Sequence, residues 1–369
     1  MIRLIRPEIG KREIREVERV LKSGLLVQGR NVEKFENMVA QYLNVKYAIA
    51  VSSGTASLHL SLIALGIKEG DEVIVPDFTF PATGNVVALV GAKPILVDVD
   101  LKTFNIDPSK IKEKITSKTK AIIPVHAFGQ SADMNQILAI AKKYNLFVIE
   151  DVACALGAEY KTRKCGTIGD IGCFSFHPRK IITTGEGGMV ITNKKEIAEK
   201  IISLRNHGIV SKNGQNSFEY AGFNYRMTDF QGALGWLQME KIDEMIRKRR
   251  SLVILYNSLL KANKNISTPI VMSGNKHIYQ SYIVLLSSRI NRDKIMKKLR
   301  EKEIETTIGT YALHCQLFYK NSYGYRQGEL QNSYRAFKQS LCLPLYTKMS
   351  QKDISVVAKS LLSAVQTGV

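Results

Sequence analysis

Five short apolar runs punctuate the first 150 residues: "YAIAV" (47–51), "EVIVP" (72–76), "PILVDV" (94–99), "KAIIPV" (120–125) and "LFVIE" (146–150). Between them lie segments with helical spacing, such as "TASLHLSLIALGI" (55–67) and "ADMNQILAIAKKY" (132–144). Buried runs that alternate with helices read as βαβ units, and such units build a mostly parallel sheet with helices on its faces. The fold class is therefore α/β.

Beyond residue 228 the pattern changes. "TDFQGALGWLQMEKIDEMIRKRRSLVILYNSLL" reads as helical, followed by one strand, "SYIVLL", and a helix, "RDKIMKKLREKEI". The last segment, "SQKDISVVAKSLLSAV", opens with Ser350 and Asp353 at capping-box spacing. This predicts a large α/β domain over residues 1–240 and a smaller C-terminal α+β domain over 241–369, with a long helix as the hinge.

A chain of 369 residues with 45% apolar and 23% charged content is an ordinary soluble globular composition. The start, "MIRLIRPEIGKREIREVERVLKSG", is too charged for a signal peptide and reads as an amphipathic helix, with Ile14, Val17, Leu21 and Leu25 at helical spacing. No uninterrupted apolar run is long enough to cross a bilayer, so no membrane partner is expected. The five cysteines, Cys154, Cys165, Cys173, Cys315 and Cys342, are odd in number and form no CxxC pair. Free thiols in a reducing cytoplasm follow, with neither a disulfide frame nor a metal site. Lys+Arg exceeds Asp+Glu by 20, which favours anionic ligands. No zinc finger or RNP motif accompanies that charge, so a lysine-rich solvated surface is the plainest reading and nucleic acid is not an expected partner.

In open α/β sheets ligands bind beyond the carboxyl ends of the strands. Here those ends carry "SSGTAS", "DFTFPAT", "HAFGQ" and Asp151. "SSGTAS" suits an anion at a helix start, with Gly54 allowing close approach and Thr55 adding a hydroxyl, although a Ser/Thr cap is also commonplace. Asp151 either caps the next helix or meets a ligand. Phe80 reads as core or as a platform, and His126 as a satisfied strand-end histidine or a ligand. In "CFSFHPRKIITTGEGG" (173–188), Lys180 precedes its glycines, the reverse of a P-loop. A lysine at that edge can attack a carbonyl; Arg179 beside it cannot form an imine. Lysine, aspartate, aromatic plane and helix start together meet the needs of pyridoxal 5′-phosphate.

These residues resemble those of the DegT/DnrJ/StrS family of sugar aminotransferases, which share the aspartate aminotransferase fold (fold type I). The likeness runs almost end to end through "VSSGTASLHL", "VIVPDFTFPAT", "PVHAFGQSADM", "VIEDVACALGAEYK", "GDIGCFSFHPRKIITTGEGGMVIT", "LRNHG", "GFNYRMTDFQGALGWLQ" and "LCLPLY". The resemblance implies that Lys180 holds the cofactor covalently and moves the proton. It implies that Asp151 keeps the pyridine nitrogen protonated and that Phe80 stacks on the ring. Gly54, Thr55, Ala56 and Ser175 match phosphate contacts, and Asn224 matches an asparagine reaching the neighbouring subunit's phosphate, hence a homodimer with shared active sites. His314, in "YALHC", resembles a histidine near the substrate. Cys154 departs from the pattern, standing where many relatives carry glutamine or histidine against the ring hydroxyl. The branch of dehydratases with histidine in place of the lysine is disfavoured, since Lys180 is present.

The implied reaction moves the amine of L-glutamate to a nucleotide-linked keto-sugar, a 4-keto-6-deoxyhexose, in amino-sugar and polysaccharide biosynthesis. The alternatives are a 3-keto-sugar, another keto-sugar or a cyclitol, or a non-enzymatic regulatory or nucleic-acid-binding protein on the same fold.

Overall fold

A computed structural model describes residues 1–212 and 214–366. All five apolar runs are strands of one sheet: β1 (Tyr47–Val51), β2 (Glu72–Pro76), β3 (Lys93–Val97), β4 (Thr119–Ile122) and β5 (Phe147–Asp151). Two more strands complete it, β6 (Ile171–Ser175) and β7 (Gly188–Thr192), in the order β1-β7-β6-β5-β4-β2-β3. From β6 to β3 every pairing is parallel, and β7 alone is reversed, antiparallel to both its neighbours. The runs lack polar alternation because both faces are covered; Val73, Ile74 and Val75 are all fully buried.

The two segments read as helices between strands are α3 (Gly54–Ala64) and α5 (Met134–Tyr144), following α1 (Lys11–Ser23), α2 (Arg30–Leu43) and α4 (Ala82–Leu89). α3 lies so deep that every residue from Ala56 to Leu62 is buried, so its apolar character runs all round. Helix α1 behaves differently from its apolar pattern. It docks on the helix spanning 229–239 through Glu13 and Val20, while Ile14, Leu21 and the following Leu25 stay exposed. Glu13 decides that orientation: it is buried, accepts the Gly10 N–H at 2.9 Å and pairs with Lys241.

The single long helix expected after residue 228 is two. After α6 (Lys195–Leu204), α7 (Asp229–Met239) packs on α1 and α2, and α8 (Ile242–Leu260) packs on the C-terminal helix Gln351–Gln366. The break at Glu240–Lys241 lets one helical stretch serve two sets of neighbours. α8 also carries the consecutive cations Arg247 to Arg250. Arg249 points inward, donating to the Tyr279 and Gln280 carbonyls at 3.1 Å, and burial pushes its pKa down to about 10.

The C-terminal region builds a second, antiparallel sheet from β8 (Ile266–Ser267), β9 (Tyr282–Leu286), β10 (Thr307–Ile308) and β11 (Ser340–Leu343), in the order β8-β9-β11-β10. α8, α9 (Arg292–Glu301) and the last helix cover it, and Tyr256 stacks on Tyr282 at 4.5 Å between ring centroids. The expected capping box is present, with Ser350 N–H donating to Asp353 at 2.8 Å and Asp353 N–H to the Ser350 hydroxyl at 3.1 Å. The chain's first residues join this region: Ile2 bridges Ile304, and Leu4 takes the Leu345 N–H.

Candidate active site

Because β7 is the only reversed strand, the carboxyl ends of the other six strands share one edge with the start of β7. That edge collects the residues singled out by the sequence. Ser53 caps α3, its hydroxyl accepting the Ala56 N–H at 3.0 Å. The first N–H groups of a helix have no partner within it, so this end offers donors and a partial positive charge to an anion. Two close approaches shape the cradle. A Cβ on Gly54 would lie 2.7 Å from the Ser175 Cβ, and one on Gly188 would lie 2.2 Å from the Ser53 carbonyl oxygen. Gly54, Thr55, Ala56 and Ser175 therefore lie together, with Thr55 exposed. In the GEGG turn, Gly188 brings β7 against the α3 cap; its role is steric.

Asp151 ends β5 and is 5% exposed. Its Oδ2 accepts the Thr83 hydroxyl at 2.8 Å and its Oδ1 the Ala153 N–H at 3.1 Å. Burial raises its pKa above the usual carboxylate range, opposed by those two hydrogen bonds and by the charge of Lys180. A carboxylate has room for about four hydrogen-bond donors. Asp151 uses two, so it retains acceptor capacity for a cation that would offset its desolvation. No helix follows Asp151, so the helix-cap reading is removed.

Lys180 follows β6 in the turn 176–187, half-buried, and its Nζ donates to the Cys154 Sγ at 3.3 Å. Arg179 is exposed and contributes its carbonyl to Gln280. Phe80 is 65% exposed, unusual for a phenylalanine, with Tyr311 edge-on at 6.4 Å between centroids. Asn224 is exposed, and its backbone bridges Asn206.

His126 and His314 are held inside. His126 Nδ1 accepts the Ala132 N–H at 3.0 Å, so its Nε2 carries the proton and donates to Glu150 at 2.8 Å. It is the satisfied strand-end histidine. His314, expected near the substrate, is fully buried: its Nδ1 lies 2.6 Å from Asp77 Oδ2, its N–H donates to Asp77 Oδ1 at 2.7 Å, and its Nε2 faces the Cys315 Sγ at 3.3 Å. It reaches no open surface of this chain. The pair instead clips residues 311–315 to the end of β2, beside the strand pairing of Tyr311–Ala312 with Phe78–Thr79.

Sequence reasoning did not single out Thr83 or Asp77. Thr83 sits in the first turn after Phe80 and bonds Thr79 at 3.1 Å, four residues back, a spacing that a helical reading of "TFPATG" could have shown. Asp77 follows the strand run directly, in the same position relative to β2 as Asp151 nearly holds relative to β5. Among the described residues, no three His, Cys, Asp or Glu side chains converge as a metal site, and no helix is long and apolar enough to cross a membrane.

An edge that offers one amine to a carbonyl, one buried acid to a cation and one helix start to a phosphate is that of a pyridoxal-phosphate enzyme of fold type I. The chain belongs to the DegT/DnrJ/EryC1/StrS aminotransferase family, whose model matches residues 7–362. It is 40% identical to the GDP-perosamine synthase of Caulobacter vibrioides, across 90% of each chain. It is 35% identical to the UDP-4-amino-4-deoxy-L-arabinose–oxoglutarate aminotransferase of Shewanella sediminis, across 97% of this chain and 96% of that one. Its structure matches that of Spr1654 from Streptococcus pneumoniae in its PLP-form at a TM-score of 0.92, 27% identical and covering 98% of each chain. The protein is a pyridoxal-phosphate-dependent aminotransferase, which removes the non-enzymatic reading.

Proposed function

We propose that this chain transfers an amino group from L-glutamate to a nucleotide-linked keto-sugar, a 4-keto-6-deoxyhexose, in amino-sugar and polysaccharide biosynthesis. The observation that carries the reading is the Lys180 amine placed within electrostatic reach of the buried Asp151, on the edge where α3 begins. The cofactor, when bound, supplies an aldehyde carbon for the amine and a ring that accepts electrons. The residues fit it. Lys180 would hold the group through its Nζ and move a proton there, and Asp151 would keep a proton on the ring nitrogen. The α3 start with Ser175 would take the phosphate, and Phe80 would cover the ring. Two relatives' names, GDP-perosamine synthase and a 4-amino-sugar–oxoglutarate aminotransferase, support a nucleotide-linked sugar, and the second supports carbon 4 and glutamate.

The charge supports an anionic substrate and is less evenly spread than it first looks. Residues 241–369 hold 22 of the 53 Lys+Arg and 8 of the 33 Asp+Glu, which is an excess of 14 out of the total 20. A second copy of the chain completes the reading. Leu25, Val27 and Phe218 are each more than 70% exposed, and Asn224 faces outward where it can meet a partner's site. Five free thiols fit a reducing cytoplasm.

The test begins with the visible absorption of the purified protein. A pyridoxal band that bleaches on adding L-glutamate is expected, and Lys180→Ala abolishes both the bleaching and turnover. A panel of keto-sugar nucleotides then gives an aminated product with the 4-keto substrate. Turnover confined to 3-keto-sugars or cyclitols would replace the substrate, and an unreactive Lys180 would remove the mechanism. Sedimentation at single-chain mass would remove the second copy alone.

A further inference from the structure

The Cys154–Lys180 contact involves the lysine on which the chemistry above rests. The thiol is half-buried, on the turn that follows Asp151, and the lysine Nζ lies 3.3 Å from its sulfur. A thiol is oxidised by mild peroxide, which the glutamine or histidine implied here by the family resemblance would not be. Of the four other cysteines, Cys165, Cys173 and Cys342 are buried, and burial pushes their thiols up, which disfavours the reactive thiolate. Cys315 is half-buried but faces His314. Cys154 alone faces an amine.

We propose that Cys154 is an oxidative modification site whose product is a reversible sulfur–nitrogen bond to Lys180, which takes the lysine away from the cofactor. This rests on the reading of Lys180 as the cofactor lysine. The steps balance with a hydroperoxide as oxidant. The Cys154 sulfur attacks the peroxide O–O bond and gives a sulfenic acid, Cys–SOH; the peroxide leaves as water or an alcohol. The unprotonated Lys180 amine then attacks that sulfur. An S–N bond forms, the S–O bond breaks, and the departing hydroxide takes one amine proton and leaves as a second water. The product has lost two hydrogens from the pair. Two molecules of an external thiol reverse it, restoring Cys–SH and Lys–NH2 and leaving as their disulfide. Since one nitrogen cannot hold both partners, the sulfur link and cofactor attachment exclude each other. A lysine freed by glutamate during turnover is more exposed to the link than one attached to the cofactor.

The experiment uses the full-length enzyme treated with dilute hydrogen peroxide, with and without L-glutamate, and then digested without reductant. The expected result is a linked peptide pair joining Cys154 to Lys180, two hydrogens lighter than its parts. It accumulates faster with glutamate, is lost on adding dithiothreitol, and is absent from Cys154→Gln. Cofactor uptake measured by absorption falls in step with the link and returns with the reductant, while Cys154→Gln keeps its own uptake through the same treatment. Sulfenic or sulfinic acid at Cys154 without a link would overturn the proposal, as would a disulfide to Cys342 in its place. Equal loss of uptake in Cys154→Gln would overturn it too. The pyridoxal band of untreated protein tests the cofactor assignment separately, so failure of one reading is distinguishable from failure of the other.

Discussion

Glu150 and Asp151 are consecutive residues at the end of β5, both buried carboxylates, and alternation along the strand turns them toward different regions. Glu150 faces a closed region. It accepts His126 Nε2 at 2.8 Å, Gly166 N–H at 2.8 Å, and the N–H groups of Ile168 and Gly169 at 2.6 Å each. Its acceptor capacity is full, and it ties the loop 166–169 to the sheet. Asp151 faces the open edge and has two donors. Burial is nearly the same for both, so burial does not tell the structural acid from the working one. The count of donors does: the saturated carboxylate has nothing left to offer, and the other keeps room for a cation.

Removing each charge in turn sharpens that contrast. Asp151→Asn cannot hold a proton on the ring nitrogen, and losing a charge-assisted bond of about 3 kcal/mol lowers turnover by roughly 100-fold or more. Its melting temperature, by contrast, holds or rises, because the ionised aspartate pays for its own desolvation. The sign agrees with linkage: with the folded pKa raised, the folded state binds more protons than the unfolded one. This residue's contribution to stability therefore falls as pH rises above the unfolded value of about 4. A steep loss of stability in Asp151→Asn, with turnover retained, would erase the distinction. Glu150→Gln gives the mirror image. It turns an amide toward groups that are themselves donors and costs about 3 kcal/mol of stability in denaturant unfolding, while the position of the cofactor band is kept.

The smallest effect comes from Thr83→Val. The threonine hydroxyl bonds the ionised form of Asp151, so its loss raises that pKa further. A bond to a charged group worth about 1.5 kcal/mol corresponds to about one pH unit, and the acid limb of the rate profile moves to higher pH by that amount. An unmoved limb would mean that Thr83 only packs.

The parts of this design visible in the sequence are those whose signal is local. The five strand runs, α3, α5 and the last helix follow from composition and spacing, and Lys180, Gly54 and Asp151 from their positions beside those elements. The sequence hides what depends on distant partners. Thr83 meets Asp151 from 68 residues away, and His314 meets Asp77 from 237 away. The donors to Glu150 at 166, 168 and 169 are backbone groups, which every residue but proline carries. "GMVIT" reads as a strand in either direction, and only the turn before Gly188 fixes β7 as the reversed one. The apolar positions of α1 gave the helix and not its orientation, because Glu13 outweighs them with a buried bond to Lys241.

The bridge between Ile2 and Ile304 has a mechanical consequence. The C-terminal sheet is tied to the seven-stranded sheet at several places: ahead of α1, at Glu240–Lys241, through the pairing of Asn275–Lys276 with Glu159–Tyr160, and through the clip of 311–315 on the end of β2. A body pinned at one point can swivel, whereas one pinned at four holds its orientation. A probe attached at Met1 therefore reports on the far end of the chain, around Ile304.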